Sequence, residues 1–205
     1  MPTASTEHPV DRRQQILDAA QRCFMRNGLH GTSMADVARE AGLPEPDVDR
    51  YFTDRDDLVR GIAENILELV TDFFEGVLKE EPIPPLGEVV ERFADTVIAI
   101  SDADGPGRLA PIYWASALYN EQMADRARAP IHRGRAGWTE IVERERAAGR
   151  VPAGADPGAV GSLLVCLLPG IVLQRVLFGD VDPETFRRGV RDLLRSVAEG
   201  PGAGA

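Results

Sequence analysis

The sequence predicts an all-α protein with a small N-terminal head of three helices and a larger C-terminal helical bundle, about nine helices in all. Apolar residues recur at helical spacing along nearly the whole chain, and runs of alternating β-branched residues are absent. The chain has 205 residues, of which 43% are hydrophobic, so it is long enough to bury a core. We place the head at residues 11–56 and the body at 57–199, with disordered tails at 1–10 and 200–205.

Capping patterns define the three helices of the head. A capping-box pattern at Asp11 predicts the start of the first helix, and Asn27-Gly28 predicts its end. The second helix begins at Thr32-Ser33 and ends at Gly42, and a short third helix follows over about 45–52. The positions expected in the core of these helices are Ile16, Ala20, Cys23, Phe24, Met34, Val37, Ala38 and Ala41.

A long fourth helix opens the body. It is capped by Thr53 or Asp54, and the segment Pro82-Ile83-Pro84-Pro85 ends it. Its apolar stripe comprises Leu58, Ile62, Ile66, Leu69, Phe73 and Val77. Further helices are expected at about 86–102, 108–120, 121–148, 157–179 and 183–198. The last two begin with an N-cap before proline, at Asp156-Pro157 and Asp182-Pro183.

Composition and charge narrow the function classes. The formal net charge of −10 excludes a general polyanion binder, so any DNA binding must be local. Nothing at the N-terminus resembles a signal peptide, and the uninterrupted part of the apolar stretch 159–178 is too short to span a bilayer. We therefore expect a cytoplasmic protein without a membrane segment. Lys79 is the only lysine, and this arginine-rich composition suggests a GC-rich bacterial genome.

Motifs for catalysis, metals and cofactors are absent. The sequence has no nucleophile elbow, phosphate-binding loop or dinucleotide-binding glycine pattern, so we predict neither an enzyme nor a cofactor. Cys23 and Cys166 stand far apart without metal-ligand spacing and are interpreted as structural thiols. His132 has no second ligand at metal spacing, so we assign no metal site.

A helix-turn-helix pattern lies between the second and third helices. Ala38, Gly42 and Val48 have the required spacing, because a small residue lets the helices cross closely, glycine takes the left-handed turn and an apolar residue fixes the second helix on the first. Alone, this pattern is common. It lies within the segment ILDAAQRCFMRNGLHGTSMADVAREAGLPEPDVDRYFTDRDDL, which resembles the N-terminal domain of the tetracycline-repressor (TetR) family. The resemblance is close over about residues 12–67. Beyond residue 67 it depends only on the order and length of the helices.

This resemblance implies a TetR-like fold and a sequence-specific DNA-binding transcriptional regulator, by family default a repressor that a small-molecule effector releases. The helix over about 45–51 would enter the major groove of a palindromic operator. Thr32, Ser33 and Arg55 would contact phosphates. The residues expected to contact base edges are Glu45, Asp47, Arg50 and Tyr51.

The third helix departs from the family pattern, because Asp49 stands where the family usually has tyrosine. Glu45, Asp47 and Asp49 would each face a polyanion unless they accept from a cytosine amino group. Alternatively, they only favour the positive end of the helix dipole. A further alternative is a helical ligand-binding or scaffolding protein whose acidic helix-turn-helix no longer binds DNA.

The body is expected to bind an apolar or aromatic effector and to form a homodimer. Candidate effector-binding residues are Phe93, Tyr113, Trp114, Tyr119, His132, Trp138, Cys166 and Gln174. The alternative for each aromatic residue is that it only fills the core. The last two helices carry more apolar surface than one body needs, in the run 163–173 and in the stripe of Phe186, Val190, Leu193, Leu194 and Val197. Half of an isologous four-helix interface would account for it.

Overall fold

A computed structural model describes residues 9–102, 105–179 and 182–199, which contain helices and no β-strand. The predicted all-α class is therefore confirmed for this part of the chain. The chain divides into two compact units, an N-terminal unit of residues 1–65 and a C-terminal unit of residues 66–205. The predicted tails lie outside the described residues except for Pro9 and Val10, which already belong to the first helix.

The N-terminal unit contains three helices and the start of a fourth. They are α1 (Pro9–Asn27), α2 (Met34–Ala41), α3 (Glu45–Asp49) and the first residues of α4 (Arg55–Leu78). Gly28 follows α1 with φ of +73°, a left-handed conformation that glycine adopts without strain and that ends the helix as predicted. The apolar residues of α1 expected in the core, Ile16, Ala20, Cys23 and Phe24, are all buried.

Three details of this unit differ from the predictions. The first helix begins at Pro9, so Asp11 lies inside it and does not cap it. Met34, expected in the core, is half-buried at the first position of α2. The third helix ends at Asp49 instead of Phe52, because the N–H of Tyr51 donates to the carbonyl of Val48 at 2.9 Å and tightens the chain into a turn that buries Phe52.

The C-terminal unit contains the rest of α4 and the remaining helices. These are α5 (Leu86–Ile100), a 3₁₀ helix (Pro106–Leu109), α6 (Ala110–Ala117), α7 (Glu121–Ala147), α8 (Pro157–Leu164), α9 (Leu167–Leu173), a π-helical turn (Gln174–Phe178) and α10 (Pro183–Glu199). Asp156 caps α8 by accepting from the N–H of Gly158. Asp182 accepts from the N–H of Thr185, as its predicted capping role requires.

Four aromatic rings form the centre of this unit. Phe74 and Phe93 each lie 5.2 Å from Trp138, and both rings are steeply inclined to the indole, while Phe73 lies 5.3 Å from Phe93. Such edge-to-face contacts stabilise aromatic pairs beyond the area that they bury. The predicted stripe on α4 is correct at Val77 but wrong at Leu69, which is exposed. Phe93 and Trp138 pack against the neighbouring face of α4. Val70 and Phe74 are therefore buried in place of Leu69.

The predicted helix over 157–179 is interrupted by a turn at Val165-Cys166. A close approach to α7 fixes its first part, since a Cβ on Gly161 would lie 2.5 Å from Oγ1 of Thr139. Cys166, expected to be buried, is exposed because it lies on the outer face of this segment. Among the described residues, only Pro157–Phe178 has the length and apolar composition of a membrane span, although its predicted uninterrupted part is too short to cross a bilayer.

Candidate nucleic-acid interface

The three residues of the helix-turn-helix pattern take the positions that the motif requires. Ala38 and Val48 are buried, and Gly42 has a φ of 69°. Gly42 closes α2, and the N–H of Leu43 then donates to the carbonyl of Ala38 at 2.9 Å. This reversal brings α3 back against α2, so the local fold presents α3 on a fixed support.

A reciprocal capping box fixes the start of α2. The N–H of Asp36 donates to Oγ of Ser33 at 3.1 Å, and the N–H and hydroxyl of Ser33 both donate to the Asp36 carboxylate, at 3.0 and 2.6 Å. These hydrogen bonds from Ser33 are the main reason that the pKa of Asp36 falls to about 2. The Ser33 hydroxyl, which is expected to contact a phosphate, is therefore already hydrogen-bonded at the start of α2.

A second carboxylate joins α1 to α2. Glu40 accepts from Arg26 at 2.5 Å and from Arg22 at 2.8 Å. These two hydrogen bonds, the one from Arg26 first, lower the pKa of Glu40 to about 2. Ionised Glu40 therefore helps to hold α2 on α1, whereas ionised Asp36 stabilises the start of α2.

This dependence predicts acid sensitivity of the N-terminal unit. The folded pKa values of Asp36 and Glu40 are about 2, below their ordinary values of 3.8 and 4.5, so the unfolded chain binds protons first. The contribution of both groups is complete above about pH 5 and is lost as the pH falls towards 2. The protection factors of the α1 and α2 amides, which are exchange rates corrected for the intrinsic effect of pH, should fall over this range. Asp36→Asn and Glu40→Gln should each flatten the dependence, and an unchanged profile in both variants would contradict the assignment.

The predicted base-reading residues lie on one short exposed element. Glu45 and Arg50 are exposed, Tyr51 is 37% exposed and Asp47 is half-buried. Asp47 forms an ion pair with Arg50, with 3.3 Å between Oδ1 and Nη1, so part of its charge is neutralised within the chain. Asp49, the acid at the family's tyrosine position, is also exposed.

The three residues expected at phosphates line a common open depression of about 410 Å³. Thr32 is only 1% exposed, and its hydroxyl donates to the carbonyl of Gly28 at 2.9 Å, so the side chain already has a partner within the turn and the expected contact of Thr32 with a phosphate stays a prediction. Nη1 of Arg55 donates to the carbonyls of Leu29, His30 and Thr32 at 3.2 to 3.3 Å. Arg55 thus holds the turn before α2, and only its remaining N–H groups are left for a phosphate.

Internal partners also engage the other arginines described in this unit. Their partners are Glu64 for Arg13, Glu40 for Arg22 and Arg26, Asp36 for Arg39, Asp47 for Arg50, Asp57 for Arg60 and Gln15 for Arg12. A DNA phosphate must compete with these acceptors for each guanidinium. The non-specific part of DNA affinity, which depends on phosphate neutralisation, is therefore expected to be small and to weaken further with salt.

The eight candidate effector-binding residues do not come together. Those in or against the core are Phe93, Tyr113, Trp114 and Trp138. Those on the exposed surface are Tyr119, His132, Cys166 and Gln174. Tyr119 is 92% exposed, whereas Phe93 and Trp138 pack on each other, as the core-filling alternative requires.

The described part of the C-terminal unit instead has a cavity between α4 and α7 that none of the eight lines. Phe74, Gly134 and Gly137 contribute to its wall. None of the residues predicted from the sequence points to this cavity. The sequence signal that could have predicted this cavity is the pair of glycines three residues apart inside a helix. Such a pair leaves a gap or allows a close approach on one helix face.

Comparison with known proteins places both units in one family. Residues 16–62 match the bacterial regulatory proteins of the tetR family, and residues 109–199 match the C-terminal part of BetI-type transcriptional repressors. The HTH-type transcriptional regulator TtgR of Pseudomonas putida is 28% identical over 81 residues. That alignment covers 40% of this chain and 39% of TtgR, about two fifths of each protein.

Solved structures share the fold over nearly the whole chain. A TetR transcription regulator from Haloarcula marismortui ATCC 43049 has a TM-score of 0.73 at 20% identity and covers 91% of this chain and 97% of its own. The SmeT–triclosan complex has a TM-score of 0.70 at 18% identity and covers 90% of each chain. The relatives are regulators, which confirms the prediction that this chain is not an enzyme. From the helix-turn-helix geometry and these matches, the chain belongs to the TetR family of transcriptional regulators.

Proposed function

We propose that this chain is a sequence-specific DNA-binding transcriptional regulator, a repressor that a small-molecule effector releases from its operator. The observation that carries this proposal is the exposed α3 on its helix-turn-helix support, with Glu45, Asp49 and Arg50 open to solvent. Only the major groove admits such a helix and displays a distinct pattern for every base pair. The carboxylates favour cytosine amino groups, so we expect a GC-containing operator.

The proposed DNA-binding species is a homodimer formed through the segment 157–178 and α10. Leu163, Leu177, Phe178 and Leu193 are all exposed there, with 71% exposure at Leu163 and 65% at Leu193. Exposed apolar surface of this extent is typical of a protein interface. An isologous two-fold pairing would present two copies of α3 to half-sites about 34–36 Å apart, which predicts a palindromic operator.

The effector is proposed to act through the C-terminal unit, and the SmeT–triclosan complex provides a precedent for a ligand in this fold. An effector that favours one arrangement of the dimer would shift the population between DNA-competent and incompetent forms. Helix α4 contributes residues to both units, so it is the proposed connection. A regulator of this kind acts in the cytoplasm, where its operator lies.

Selection from a random DNA pool with the purified full chain tests this function. We expect a palindromic consensus that binds the protein in a gel shift, and a retarded band that moderate salt abolishes. Failure to recover any consensus at low salt would contradict the proposal and favour a helical binding protein with a degenerate acidic motif.

Asp49 provides a specific test of the electrostatics of α3. Asp49→Tyr removes an exposed carboxylate from a surface that faces phosphates, so affinity for the selected operator should rise about tenfold. Fluorescence anisotropy at two salt concentrations measures the change. Asp18→Asn, which removes an exposed carboxylate on α1, is the control and should change affinity by less than about twofold. Unchanged or weaker binding by Asp49→Tyr would contradict the charge interpretation.

A further inference from the structure

The C-terminal unit has a cavity of about 190 Å³ between α4 and α7. Its walls are mostly apolar, with Val70 and Phe74 on α4 and Gly134 and Gly137 on α7. Charged residues lie at its edge, namely Glu75, Arg133 and Glu140. An apolar hollow with a few charged groups at one edge is the usual form of a small-molecule site.

Two glycines on one face of α7 shape this cavity. A Cβ on Gly137 would lie 2.6 Å from the ring of Phe74, so only glycine lets that ring approach the helix as closely as it does. A Cβ on Gly134 would find its nearest neighbours at ordinary distances, 3.5 Å from Val165 and 3.9 Å from Phe74. A methyl group therefore fits beside Gly134 in ordinary van der Waals contact.

The volume limits the size of the occupant. An apolar cavity of about 150 Å³ in a protein interior holds a benzene molecule. The cavity of about 190 Å³ between α4 and α7 therefore has room for one benzene ring with one or two further carbon atoms.

The charges at the edge determine the polar group of the occupant. Glu75 is paired with Lys79 at 3.2 Å, and Glu140 is paired with Arg144 at 2.5 Å. The Arg133 guanidinium has no hydrogen bond or ion pair with any residue that the structure describes. The one charge without a counter-charge at this edge is thus positive, and a guanidinium binds a carboxylate through two parallel hydrogen bonds.

We propose that this cavity binds a small monocarboxylic acid, with an apolar body of about one substituted benzene ring between α4 and α7 and its carboxylate on Arg133. The proposal rests on the proposed function, because it names the chemical class of the effector. Binding would hold α4 against α7. The first residues of α4 belong to the N-terminal unit.

Calorimetric titration of the full chain with three probes that share a benzyl group tests this proposal. The probes are phenylacetate, the neutral phenylacetamide and the cationic benzylammonium. Phenylacetate should bind at least about tenfold more tightly than either of the others. Arg133→Gln should weaken phenylacetate binding by at least about tenfold without affecting phenylacetamide. Arg135→Gln, at an exposed arginine two residues away that does not line the cavity, should stay within about twofold.

Gly134→Ala tests the location independently of charge. Its methyl group fits without a clash but occupies cavity volume, so phenylacetate binding should weaken while thermal stability is retained or raised. Equal binding of acid and amide, an unaffected Arg133→Gln variant, or no binding at millimolar acid would overturn the proposal. If the chain still selects a palindromic operator in those cases, only the effector class is wrong. If it selects none yet binds the acid through Arg133, the site stands and the regulator function fails.

Discussion

Replacing Glu145 with alanine is expected to lower the free energy of unfolding of the C-terminal unit by about 3 kcal/mol. Glu145 is only 1% exposed, on the last turns of α7. One carboxylate oxygen accepts from the N–H of Leu86, the first residue of α5, at 2.9 Å, and the other accepts from Nε of Arg150 at 2.8 Å. The alanine variant leaves the Leu86 N–H without its acceptor in a place that water reaches poorly.

Fluorescence-monitored urea unfolding measures this effect in the right unit, because both tryptophans of the chain, Trp114 and Trp138, lie in the C-terminal unit. Glu145→Gln keeps an acceptor for Leu86 and should lose clearly less stability than Glu145→Ala. Glu140→Ala, which removes an exposed ion pair five residues earlier on α7, should cost less than about 1 kcal/mol. Equal losses at Glu140 and Glu145 would contradict a special role for the buried carboxylate.

The importance of Glu145 was not predictable from the sequence, and the reason is general. Its partner on α5 is 59 residues away, and helical periodicity gives no information about which distant N–H a carboxylate meets. By contrast, the helix starts at Ser33, Asp156 and Asp182 were predictable, since a cap and its helix are adjacent in the chain.

In the candidate DNA interface, too, contacts between residues close together in the chain were predictable, whereas the partners of individual side chains were not. The motif residues Ala38, Gly42 and Val48 are close together in the chain, and their spacing, within the wider family resemblance, predicted the turn that the structure has. Thr32 and Arg55 carry hydroxyl and guanidinium groups that fit a phosphate equally well, but the structure directs them to backbone carbonyls of the turn before α2. A residue type shows what a side chain can bind, whereas the fold decides which partner is nearest.

The proposed effector site was less predictable still, because the candidate residues suggested by the sequence are mostly large aromatic side chains. In the structure, Phe93 and Trp138 fill the core by packing on each other, so their size serves stability. The cavity lies where side chains are missing, beside Gly134. Empty volume depends on the distance between two helices, which no residue pattern specifies by itself.

Replacing Leu193 with glutamate is expected to separate the proposed dimer and to reduce operator affinity by at least about a hundredfold. Leu193 is 65% exposed on α10, whereas Phe186 and Val190 of the same helix pack against the core of their own unit. A carboxylate at this position would be buried without a partner in an isologous interface, and twice, since both copies carry it. A single subunit then engages one half-site and loses the gain of linked binding, which commonly amounts to about 10² to 10⁴.

Leu118→Glu is the control for Leu193→Glu, because it adds the same charge at an exposed leucine outside the proposed interface. Leu118 is 78% exposed just after α6, so it has the greater accessible apolar surface and the same change in charge, but it lies outside the proposed interface. Analytical ultracentrifugation should find monomers for Leu193→Glu and dimers for Leu118→Glu. The reverse result would move the interface to the junction of α6 and α7. A monomeric Leu193→Glu variant with undiminished operator affinity would mean that one α3 suffices for recognition, and the predicted palindrome would then be wrong.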